Sequence, residues 1–150
     1  MSANFKHGQI TDLILKAFFQ VYGKLGYGFS EKIYENSMAI TSQNLGLTVI
    51  QQAPIAVYFD QSIVGHYAVD LLVNSLVIVE IKAHKSLTQE HEAQLLNYLK
   101  ATPYEVGLLL NFGPRPQCKR RVYDNSLKGG LSWYKEVVLD TDTAENTETS

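Results

Sequence analysis

Asp70, Glu80 and Lys82 are charged residues set into a strongly apolar stretch, Val64–Ala83, which reads VGHYAVDLLVNSLVIVEIKA. Charged side chains are rarely buried unless they are paired or hold a metal. Two apolar runs flank the polar break Asn74–Ser75, the pattern of a β-hairpin. The second run, Leu76–Val79, is continuously aliphatic, as expected of a strand covered on both faces. Alternation then puts Glu80 and Lys82 on one face and Ile81 on the other. If Asn74, Ser75 and Leu76 form the whole connection, Val73 pairs with Val77 and Asp70 lies across from Glu80. A loop shorter by one residue sets Asp70 opposite Val79 and turns it to the other face. The longer connection, or an equivalent bulge, is expected. Facing carboxylates repel, and a divalent cation between them removes the conflict. With Lys82 alongside to hold an anionic group, the set suits metal-assisted attack of water on a phosphodiester. An isolated Glu-x-Lys reads better as an ion pair at a sheet edge. The hairpin, and Asp70 at this spacing, favour the metal site.

The elements that must position these residues follow from local pattern. Leu13, Ile14, Ala17, Phe18 and Val21 recur at helical spacing from Thr11, a candidate N-cap, to about Leu25. The segment Gly23–Gly28, with three glycines, breaks that helix. Ser30 is placed to cap a second one carrying Ile33, Tyr34, Ser37 and Met38, with Gly46 just past its end. Thr48–Phe59 reads as a strand in which Pro54 marks a bulge or an edge. Asp60–Gln61 turns into the central hairpin. Thr88 is placed to cap a third helix through about Ala101, and Glu105–Phe112 is a further buried strand. Cys118–Tyr123 reads as an exposed last strand. Leu131–Leu139 is apolar enough to pack on the domain, and the acidic tail Asp140–Ser150 is expected to be disordered.

The 150 residues, 45% hydrophobic and 19% charged, fit one domain. A net charge of −2 gives no bulk support for nucleic-acid binding, which would need a local basic patch. The single cysteine, Cys118, excludes an internal disulfide framework or a Cys-based zinc site. No run reaches transmembrane length and no signal core is evident, so a cytoplasmic protein with no membrane partner is expected.

On the third helix His91, Gln94, Leu95 and Tyr98 share one face. Leu95 and Tyr98 are ordinary core residues there. Gln94 on the same stripe needs a polar partner or sits half exposed at the sheet rim. His91 reads as a rim residue rather than a ligand. Glu31 is favourable at a helix N-terminus for helix reasons alone, or else is delivered across the sheet as a further ligand, with Tyr34 packed beneath it or bonded to a carboxylate.

Gly28-Phe-Ser-Glu31-Lys-Ile-Tyr34 is a GxxExxY motif, followed in order by Asp70, Glu80-Ile81-Lys82 and Gln94-Leu-Leu-Asn-Tyr98, a QxxxY motif. Together they resemble the GxxExxY family of the PD-(D/E)XK nuclease superfamily, over roughly Thr11 to Tyr123. The resemblance implies an α/β, restriction-endonuclease-like domain over residues 1–139, with an αβββαβ core and a mixed sheet flanked by helices. It implies a Mg²⁺- or Mn²⁺-dependent nuclease acting on nucleic acid, DNA rather than RNA. Asp70, Glu80, the Ile81 carbonyl and Glu31 would bind the metal, and Lys82 would orient water or stabilise charge at phosphorus. Gln94, Tyr34 and Tyr98 would brace the site or contact substrate. Candidate phosphate contacts are Lys85, Lys100, Arg115, Lys119, Arg120 and Arg121, the last three fitting a solvated edge strand at least as well. Tyr22 stands where family members often have histidine, and Ala68 where they often have arginine. The alternatives are a catalytically silent binding or regulatory module on the same fold, and a homodimer.

Overall fold

Alternating and continuous apolar runs condense into one mixed sheet of five strands in the order β1-β2-β3-β4-β5. These are β1 (Val49–Phe59), β2 (Ser62–Val73), β3 (Val77–Lys82), β4 (Val106–Phe112) and β5 (Pro116–Val122). β3 and β4 run parallel and the other neighbours antiparallel. Helices α1 (Gly8–Leu25) and α2 (Glu31–Asn44) cover one face; α3 (Gln89–Lys100), the crossover from β3 to β4, covers the other. This is the expected αβββαβ core, preceded by α1 and followed by β5. The computed structural model describes residues 6–128. The expected element at Leu131–Leu139, the tail, and the domain limit at 139 lie outside the described residues.

Both faces of β3 are buried, which is why its sequence does not alternate. Val77, Val79 and Ile81 pack on Phe18, Tyr34 and Met38 of the paired helices, while Ile78 packs on Leu95 and Leu99 of α3. Phe112 anchors the first cluster, with the Tyr34 ring stacked on it at 4.2 Å and Phe18 edge-on at 4.8 Å.

Thr88 caps α3 as expected, and His91 closes the box: the Thr88 N–H donates to His91 Nδ1 at 3.1 Å. Gly46 follows α2 at φ 91°, its N–H bonded to Gln43 O. Thr11 is not a cap. The helix starts a turn earlier, after a left-handed His7, and Thr11 is buried with its hydroxyl donating to Gly8 O. Ser30 precedes α2, but its side chain makes no capping bond.

The sheet forks. β2 pairs with β3 over Leu71–Val73 against Val77–Val79; beyond Leu71, β2 pairs with β1 alone and β3 with β4 alone. Val69 is buried on the α3 side and Leu71 on the α1/α2 side, although residues two apart in a regular strand share a face. The strand is therefore kinked at Asp70. Its neighbour on β1, Gln52, is left-handed at φ 51° and drops out of the pairing between Gln51↔Leu71 and Ala53↔Val69.

The segment that leaves β3 is pinned from β4. Asn111, fully buried, accepts from His84 N–H at 2.9 Å and donates to His84 O at 3.0 Å. Gly113 lies so close that an added Cβ would stand 2.3 Å from His84 O. The obstacle is backbone and cannot rotate away. Gly113→Ala is expected to lower unfolding free energy by about 1–3 kcal/mol, read as a reduced urea midpoint; an unchanged midpoint would mean that the loop yields freely.

Candidate functional site at the fork

Val73 pairs with Val77, so the connection is Asn74, Ser75 and Leu76, with Asn74 and Ser75 left-handed and the Leu76 N–H bonded to Val73 O at 3.0 Å. That register sets Asp70 across from Glu80. With the ladder open there, the backbone donors need other acceptors, and the side chains supply them reciprocally. Asp70 N–H donates to Glu80 Oε2 at 2.9 Å, and Ile81 N–H donates to Asp70 Oδ2 at 2.7 Å. Each acid ties its strand to the other one.

Burial and mutual repulsion make both acids reluctant anions. Desolvation, then the charge of Asp70, pushes the Glu80 carboxyl up to about 8, and Lys82 works against that shift. Asp70 is also raised, chiefly by desolvation, while the Ile81 N–H, Gln52 and Lys82 favour its charged form. Lys82 donates to Gln94 Oε1 at 3.3 Å, so the amide of exposed Gln94 holds the lysine head. Tyr98, buried on α3, faces the same corner: desolvation and the nearby Glu80 raise its hydroxyl to about 12, keeping it protonated.

Glu31 bonds the backbone past β3, near enough for its charge to add to the upward shift of Glu80. Its Oε2 accepts from Ala83 N–H at 3.1 Å and lies 3.5 Å from His84 Nε2. Ala83 follows the last strand residue, and the helix packed across the sheet brings this carboxylate to its N–H. Among the described residues no group of three or more His, Cys, Asp or Glu side chains stands close enough to hold a metal ion. The all-protein quartet expected from Asp70, Glu80, Ile81 and Glu31 is therefore not assembled as such. The donor chemistry of the inner pair still fits a hard cation, being two facing carboxyl groups whose charged forms repel each other.

Other expected residues are placed elsewhere. Tyr34 is fully buried and donates to Gly26 O at 2.6 Å, clasping the glycine turn rather than a carboxylate. Lys100 is exposed in the last turn of α3, two residues past Tyr98. Arg115 is exposed in the β4–β5 turn, at the rim where β3 also ends. Arg120 donates to Lys6 O and Arg121 contacts Glu92, so the basic run is engaged along its own edge. Tyr22 hydrogen-bonds the carbonyls of Gly113 and Pro114 at 2.7 and 2.9 Å, bracing the same turn.

Three neighbours of the site escaped the sequence reading. Glu35 is 4% exposed and accepts from Gln51 and Gln52, and Gln52 in turn reaches Asp70 Oδ1 at 3.2 Å. Tyr67, three residues before Asp70, sets its ring 4.7 Å from that of Tyr98. Glu35 follows Glu31 by one helical turn and was open to notice on that ground. Gln52 and Tyr67 become meaningful only once the strand register and kink are known.

A mixed sheet that parts at an opposed aspartate and glutamate, with a lysine two residues past the glutamate, defines an α/β domain of the PD-(D/E)XK type. Residues 8–122 match the PD-(D/E)XK nuclease superfamily, and the chain belongs to it. Among solved structures it is similar to SSO0001, at 16% identity and TM-score 0.48, over 75% of this chain. The match spans 59% of the length of that protein. It is also similar to an alkaline exonuclease from Laribacter hongkongensis, at 14% identity and TM-score 0.40, over 93% of this chain and 80% of that one. No curated protein matches the sequence. Among the described residues no helix is long and apolar enough to cross a membrane.

The raised carboxyl of Glu80 fixes a pH dependence. Below its ordinary value of 4.5 it is protonated in both folded and unfolded chains. Between there and about 8 the folded chain holds the proton that the unfolded chain has released, so stability falls as pH rises. Asp70, also raised, acts in the same direction. Urea midpoints without divalent ions are expected to decline across that window, and Glu80→Gln is expected to remove most of the decline. A flat wild-type profile would show that burial does not burden the carboxyl.

Proposed function

We propose that the chain is a divalent-metal-dependent phosphodiesterase of the GxxExxY type that hydrolyses nucleic acid, DNA in the first instance. The observation that carries this reading is the opposition of Asp70 and Glu80 where the sheet forks, each bonded to the other's strand, with Lys82 on the same face. Asp70 and Glu80 would hold the ion with the Ile81 carbonyl, and oxygen donors suit Mg²⁺ or Mn²⁺. When bound, the ion supplies charge neutralisation at the phosphate and a water of lowered pKa. The protein's own part is positioning. Gln94 steadies Lys82, whose ammonium orients water or meets charge developing at phosphorus. Glu35, through Gln52, orients Asp70, and Glu31 holds the first residues past β3. Arg115, at the rim where β3 ends, and Lys100, in the last turn of α3, would be phosphate contacts.

A specific observation favours a second reading, a silent binding module. With both carboxylates engaged by backbone N–H groups and Glu80 raised to about 8, the inner pair is satisfied without any ion.

Two measurements separate the readings. Mn²⁺ or Mg²⁺ is expected to raise the melting temperature of the wild type but not of Asp70→Ala. Cleavage of single- and double-stranded DNA and RNA with these ions is expected to fall about 100-fold or more in Asp70→Ala and Lys82→Ala, the scale of losing one preorganised charge. Binding without cleavage above those variants would leave the module reading standing and the hydrolase reading overturned.

A further inference from the structure

We propose that Tyr67 and Tyr98 form a stacking platform for an unpaired base, so that the site takes single-stranded or frayed nucleic acid in preference to intact duplex. This deepens the phosphodiesterase reading and rests on it for the identity of the ligand.

The two rings stand 4.7 Å apart with a 55° tilt, beside the acid pair: Tyr98 feels the charges of both Glu80 and Asp70. Tyr98 is 7% exposed and fixed by its packing on α3, whereas Tyr67 is 41% exposed. The inner ring is therefore a rigid backing and the outer one is presented to solvent. The next residue on the same face of β2 is Gly65, where an added Cβ would meet nothing within 4 Å. Room for a planar group is thus left alongside an exposed aromatic ring.

Electrostatics point the same way. Duplex binding draws its strength from cations along the phosphates. Here the chain carries −2, the site is crowded with Glu31, Glu35, Asp70 and Glu80, and Lys82 is the basic residue that interacts with both inner acids. Arg120 and Arg121 lie on β5, three strands or about 14 Å across the sheet from β2, and are engaged with Lys6 and Glu92. With the acids outnumbering Lys82 and Arg115 there, affinity gains most from a contact that does not depend on charge. Base–aromatic stacking is such a contact, and a base inside a duplex is not free to make it.

The test is fluorescence anisotropy with labelled oligonucleotides of one sequence, as single-stranded DNA, single-stranded RNA and duplex DNA. Ca²⁺ is present to satisfy the carboxylates, and cleavage in Mn²⁺ is assayed separately. Single strands are expected to bind at least 10-fold more tightly than duplex. Tyr67→Ala is expected to weaken single-strand binding roughly 5- to 100-fold, the range for loss of one stacked base. Tyr67→Phe is expected to bind as wild type, since the ring and not the hydroxyl is used. Tyr67→Ala removes an exposed ring, and an unchanged melting temperature confirms that it folds. The DNA and RNA arms say which strand is preferred, and either preference supports the platform. Duplex bound as tightly as single strands, no binding of any oligonucleotide, or Tyr67→Ala binding like wild type would overturn it. Asp70-dependent cleavage with no role for Tyr67 would remove the platform and keep the hydrolase. Tyr67-dependent single-strand binding without cleavage would do the reverse.

Discussion

Where β2 and β3 part, each strand accepts the other's backbone N–H on a carboxylate, and the site is built on that exchange. A fork in a sheet exposes unpaired donors at the point where the strands diverge. Filling them with side-chain oxygens stabilises the opening and, at the same stroke, brings like charges together in a poorly solvated corner. The cost appears as raised carboxyl pKa values on both acids. Such stored electrostatic strain is what a cation would relieve. The kink at Asp70 and the left-handed Gln52 across from it are the backbone's part in holding the fork open.

The α2 helix serves this arrangement from the opposite face. Its first residue, Glu31, closes on the backbone past β3, and Glu35 one turn later braces Asp70 through Gln52. Tyr34 between them locks the entry to the helix by bonding Gly26 O while its ring lies on Phe112. The GxxExxY segment thus works as a clamp. Its glycine permits the positive φ of 120° at Gly28, its glutamate reaches the end of β3, and its tyrosine joins the helix to the sheet.

Much of this was legible in the sequence. The aliphatic run before Glu80 announced a doubly covered strand, and the three-residue connection Asn74–Leu76 set Asp70 across from Glu80, the register found. Hydrophobic period and turn residues gave the order of the elements and the helix limits to within a turn, Thr11 being the clearest miss. What was not legible depends on long-range geometry. That Glu31 takes the N–H of Ala83 past the strand end is a fact of tertiary placement. Gln52 and Tyr67 are unremarked polar and aromatic residues until the β1–β2 register and the kink bring them to the acids.

The two rims of the sheet are closed to growth by different means. β1 carries Pro54, which has no hydrogen to offer a newcomer, and ends in a left-handed Asp60–Gln61 turn. On the far rim β5 presents Lys119, Arg120 and Arg121. A second copy approaching edge to edge would meet a missing donor on one flank and, on the other, the exposed Lys119 beside an Arg121 already paired with Glu92. Fibrillar stacking through this sheet is thereby disfavoured, and the central aliphatic strands, the segments most prone to it, stay in the interior of the ladder.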